Sequence, residues 1–157
     1  MANDDKGGPR VVARLRDGKM VKGYLEEPLE LDFDALFIDA HAALPQDLRL
    51  RQAASGESLK VPLDSLKALF FVKSFEGHKD YSEVKFFEKN PPIKGLWVRV
   101  RFYDDEYLEG VVKNSMEFLV EPGFYLKPPD PLSNNEILYV VKESLADFRV
   151  LGVRMEF

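Results

Sequence analysis

Val11–Tyr24 reads VVARLRDGKMVKGY, and Val98–Val111 reads VRVRFYDDEYLEGV. Laid over one another at a constant spacing, Val11 meets Val98, Arg14 meets Arg101, Leu15 meets Phe102, Asp17 meets Asp104 and Gly23 meets Gly110. In both copies apolar residues recur at every second position: Val11, Ala13 and Leu15, then Val98, Val100 and Phe102. That period is a strand with one face buried, and it leaves Arg99 and Arg101 on the opposite, exposed face. Each copy then turns through Asp17-Gly18 or Asp104-Asp105 and enters a second strand, Met20–Tyr24 or Tyr107–Val112. The glycine inside that second strand predicts a bulge or sharp bend, the device with which a small sheet curls on itself.

The likeness continues downstream. Leu36-Phe37-Ile38 matches Phe124-Tyr125-Leu126 as a third strand, and Leu59-Lys60-Val61 matches Leu138-Tyr139-Val140 as a fourth. Ser65-Leu66 through Phe71 matches Ser144-Leu145 through Val150 as the last. The first copy carries an extra excursion at 42–56, whose stretch Asp47–Gln52 alternates Leu48 and Leu50 with Arg49 and Arg51 and extends strands three and four. Helix is expected only as a turn or two, at Ser65–Phe70 and Asp80–Phe87. The organisation is therefore all-β: a flexible tail at 1–9, a first small β-barrel at 10–76, a packed connector at 77–95 and a second small β-barrel at 96–157. The connector ends in Pro91-Pro92 and carries Val84, Phe86 and Phe87, apolar groups too costly to leave in water. It is expected to tie the two units into one rigid body.

Composition narrows the function classes. The chain has no cysteine and two histidines, His41 and His78, far apart. Thiolate metal sites, disulfides and Cys-His or Ser-His catalysis have little material, and neither a metal nor a cofactor is expected. The tail is polar and no apolar run reaches the length of a membrane helix, so a cytoplasmic protein without a membrane partner is expected. Net charge is −5, and it divides evenly, with 11 basic and 13 acidic residues before Gly77 and 11 and 14 from there on. Arg99 and Arg101 interleave with aromatics, as do Arg14 and Arg16 with apolar residues, but the acidic balance favours faces paired with Asp and Glu over a nucleic-acid surface. The carboxylate pairs Asp32/Asp34 and Asp104/Asp105 read as solvated loop and turn residues, not as acid–base pairs. No catalytic constellation emerges, and the chain is expected not to be an enzyme.

Two features remain for binding. The tract Pro128–Asn135, PPDPLSNN, holds three prolines and two asparagines, the makings of a stiff loop that loses little entropy on docking. The aromatic runs Phe70-Phe71 with Phe75, and Phe86-Phe87, point to both faces of whatever strand carries them. They either pack between the units or form an exposed patch. A partner-binding surface near the junction is expected on Phe124, Tyr125, Pro128, Pro129, Asp130, Asn134 and Asn135.

The tract Val11-x-Ala13-x-Leu15-x-Asp17-Gly18 with Gly23 resembles the opening strands of Sm-like barrels, five-stranded bent sheets related to SH3-like barrels. The resemblance spans about fifteen residues per copy. It implies a tandem of small barrels and, as one alternative, an RNA- or small-ligand-binding module. Sm-like RNA binders carry an asparagine after the third-strand region and an Arg-Gly pair near the fourth strand. Neither occurs at 31–40 or at 59–63. Leu66–Gly77, Gly123–Leu126 and Pro128–Asn135 together look like a tandem bacterial family of uncharacterised domains, covering nearly the whole chain. Size and acidity are similar to those of RomX-like proteins. That likeness implies an adaptor in bacterial signalling or polarity control, with a response regulator or a small Ras-like GTPase as partner.

Overall fold

The computed structural model describes residues 8–26, 44–76, 86, 95–114, 119–130 and 132–154. It is all-β, with ten strands and two short 3-10 turns among these residues: β1 (Arg10–Leu15), β2 (Met20–Leu25), β3 (Asp47–Gln52), β4 (Ser58–Pro62), β5 (Leu66–Val72), β6 (Gly95–Phe102), β7 (Tyr107–Val112), β8 (Gly123–Leu126), β9 (Asn135–Val141) and β10 (Leu145–Arg154). No helix among the described residues is long and apolar enough to cross a membrane.

The two hairpins of the repeat share one turn geometry. Leu15 donates its amide to the Lys19 carbonyl (2.9 Å) and Phe102 donates to Glu106 (2.9 Å). The aspartate opening each turn folds back on it, Asp17 Oδ1 accepting from Lys19 N and Asp104 Oδ1 from Glu106 N. The next residue must be left-handed, so the first copy uses Gly18 (φ 93°), whereas the second places Asp105 there (φ 69°) at a steric cost. The paired glycines have one cause too. A Cβ on Gly23 would collide with the carbonyl of Arg51, and one on Gly110 with the carbonyl of Lys127, because in each copy the backbone paired beside the second strand lies close against the glycine. A 3-10 turn precedes the last strand in each copy, Leu63–Ser65 and Lys142–Ser144.

Strand pairing repeats as well. β1 pairs with β2 and β5, β2 with β3, and β3 with β4. Likewise β6 pairs with β7 and β10, and β8 with β9, while β7 meets β8 through the single bridge Val111–Lys127. Among the described residues the strand that follows β2 is Asp47–Gln52, paired with β2 on one side and β4 on the other. Leu36–Ile38, first matched to that role, lies outside the described residues, as do Asp32, Asp34, His41, His78, Asp80–Lys85, Phe87 and most of the connector. Ser65–Phe70 is strand after a short 3-10 turn, because Leu66–Val72 is buried on both faces and must satisfy its backbone in a sheet.

The sheets do not divide where the repeat does. Among the described residues one has seven strands in the order β4-β3-β2-β1-β5-β9-β8, the other three in the order β10-β6-β7, and neither closes into a barrel. The seam is β5 against β9, with Ala68 opposite Val140, Leu69 opposite Tyr139 and Phe70 opposite Leu138. Two cores lie on either side of it. Leu66, Leu69 and Phe71 of β5 join Tyr125, Ile137, Tyr139 and Val141 in the core built on β1–β4. Ala68, Phe70 and Val72 join Phe124, Leu126, Leu138 and Val140 in the core built on β6 and β7. The adjacent phenylalanines thus pack into different cores, as their alternation requires.

Candidate functional site

The junction is held by charge as well as by apolar contact. Lys67 is the one cation in the buried run LKALFFV, and its ammonium is nearly sealed from water. It reaches across to the second hairpin, donating to Asp104 Oδ2 (2.8 Å) and to Glu106 Oε1, and it lies 4.8 Å from the Phe102 ring centre. Asp104 is therefore not a merely solvated turn residue. The Lys67 hydrogen bond holds its carboxyl below the ordinary value, against a smaller opposing effect of desolvation. Arg14 Nη1 adds a 3.5 Å contact to Glu106, and Tyr103 donates its hydroxyl to the Arg16 carbonyl (2.7 Å).

Beside this bridge is a cleft of about 250 Å³. Phe70, Leu126 and Leu138 form its floor, Pro128 and Pro129 a wall, and Arg14, Glu106 and Asn135 its polar margin. Both repeats contribute to it. Of the residues expected to bind a partner, Pro128, Pro129 and Asn135 line it, and the other four do not. Phe124 and Tyr125, expected to be exposed, are buried in opposite cores, because β8 is covered on both faces. Tyr125 stacks edge-on to Tyr139 at 5.0 Å, and burial raises its hydroxyl pKa well above the usual phenol range. Asp130 is buried and accepts from the Leu132 amide. Asn134 staples the loop to the end of β5, its Oδ1 accepting from Ser74 N and Oγ and its Nδ2 donating to the Ser74 carbonyl. These two shape the loop from within. The sequence singles out Arg14 and Phe70 for separate surfaces and Glu106 for none, because the three come from distant parts of the chain.

The arginine face of β6 is charge-paired. Arg99 donates to Glu109, Arg101 to Asp105 and Arg149 to Asp147, around a shallow depression of about 320 Å³. Glu109 is buried yet satisfied, accepting also from Trp97 Nε1 at 2.9 Å. Among the described residues no group of three or more His, Asp or Glu side chains is placed to hold a metal ion.

The described residues form an all-β protein of two sheets with a cleft lined from both halves of the chain. The chain belongs to a family of unknown function, DUF6982, whose model matches residues 7–152. No curated protein and no solved structure matches it.

Proposed function

We propose that the chain is a non-enzymatic protein-interaction module, an adaptor in which two degenerate Sm-like units, open sheets and not closed barrels, are fused so that the cleft they share receives a short segment of a partner protein. The observation that carries this reading is the cleft itself. It has an apolar floor for an anchor side chain, a proline wall that loses little entropy on docking, and the cation Arg14 with the carboxylates Glu106 and Glu109 in its lining to set orientation. Nothing in its lining resembles a nucleophile with a positioned base. A response regulator or a small GTPase is the first partner class to try, as the RomX-like resemblance suggests. The test is affinity capture on the full chain, run beside Leu108→Glu, which puts a carboxylate into the cleft. One partner retained by the unsubstituted chain and lost from the variant is expected. Identical captured sets, or a submicromolar salt-sensitive affinity for an oligonucleotide, would count for the nucleic-acid alternative instead.

A further inference from the structure

The repeat leaves its last strand incompletely used. In the first copy β5 is paired on both edges, with β1 on one side and β9 on the other. Its counterpart β10 pairs with β6, and among the described residues no strand lies on its outer edge. Val150, Leu151 and Val153 on β10 are 50%, 37% and 56% exposed, a concentration of large apolar side chains on one strand. Beside them lies an open depression of about 310 Å³ that includes Phe124, Leu145 and Phe148.

We propose that the outer edge of β10 is a second docking surface, separate from the cleft, that accepts an extended strand from a partner protein with apolar and polar residues in alternation. The template is the seam inside the chain. The repeat aligns Leu69 with Phe148 and Phe71 with Val150, just as it aligns Ser65-Leu66 with Ser144-Leu145. At the seam, Tyr139 lies opposite Leu69 and Ile137 opposite Phe71, and both seal a core. A strand added to β10 in the same register places one side chain opposite Phe148 and another opposite Val150, which must be apolar. The residues between them fall on the face of Asp147 and Arg149, which are paired to each other at 2.8 Å, and must be polar. Backbone pairing along the edge that no described strand occupies supplies affinity and the alternating side chains supply selectivity.

A second copy of this chain is a poor occupant through the strand that repeats β9. Its own counterpart of β9 is β4, which the same register sets with Ser58 opposite Val150 and Lys60 opposite Phe148. Lys60 sits in the open, 3.6 Å from Asp47, and would have to leave water for an apolar site. A lysine on a free strand is also a common guard against edge-to-edge association.

The experiment uses the full chain and a fluorescein-labelled peptide that alternates threonine with valine and tyrosine between terminal lysines. Saturable binding by anisotropy is expected, with slowed amide exchange along 145–154. The double variant Val150→Asp/Val153→Asp should weaken binding by at least about tenfold while leaving the melting curve in place, since both side chains are half-exposed. Leu108→Glu in the cleft should leave peptide binding unchanged, so the two surfaces are separable. Absence of binding, exchange protection elsewhere, or binding indifferent to the double variant would overturn the proposal. So would concentration-dependent self-association in sedimentation that the same variant abolishes, which would make the occupant a second copy.

Discussion

Lys67 shows how one side chain decides an interface. A lone cation within Leu66–Val72 is tolerable only because Asp104 and Glu106 come to it from the other repeat. Lys67→Ala should cost about 2–3 kcal/mol, measured by denaturant unfolding, because it removes the packed stem and leaves two carboxylates facing each other. The same bridge sets an acid limit. Asp104 titrates below its ordinary 3.8 in the folded chain, so its contribution is present above the unfolded value and is lost as pH falls through the folded one. Asp104→Asn should flatten the stability profile below about pH 4 relative to the unsubstituted chain. Tyr139 is the reverse case. Among the described residues its buried hydroxyl has no hydrogen-bond partner of good geometry, and desolvation, reinforced by Glu121 and opposed by the Gly123 backbone, raises its pKa to about 12. Tyr139→Phe should leave the melting temperature unchanged or raise it, since no hydrogen bond is lost.

At the scale of elements, the strand β6 carries its energy on one face. Val98, Val100 and Phe102 are fully buried, while Arg99 and Arg101 are only partly covered and are tied to carboxylates on the outer face. Phe102→Ala should cost about 3–5 kcal/mol in a denaturant melt, and an unchanged melt would mean that the burial face is wrong. The β2 and β7 strands depend on their glycines for a different reason. Gly23→Ala or Gly110→Ala must push a neighbouring backbone away, not merely a flexible side chain, and each should destabilise by about 1–3 kcal/mol.

For the molecule as a whole, the shared seam makes the repeats interdependent. Without residues 95–157 the first core loses Tyr125, Ile137, Tyr139 and Val141, a loss of roughly 6–12 kcal/mol at the usual value for a buried side chain. That is comparable to the entire stability of a domain of this size. The full chain should therefore unfold in one cooperative calorimetric transition, and a 1–76 fragment should fail to give a folded spectrum. Two separate transitions would show that the repeats are independent units.

The strands at both hairpins, their buried faces and the turn at each aspartate were legible in the sequence, because alternation and turn chemistry are local. Gly23 and Gly110 were legible as special positions, although the reason, a closely paired neighbouring backbone, was not. Lys67 left a trace, a single charge in an apolar run. Tertiary structure alone decided where the sheets divide and which residues meet at the cleft. Pairing of β5 with β9 joins positions about 70 residues apart, and backbone hydrogen bonds between strands carry no sequence code that names the partner. For the same reason Phe124 and Tyr125 looked available: local pattern shows that a strand is apolar, and only the packing of a second core against its other face shows that both sides are covered.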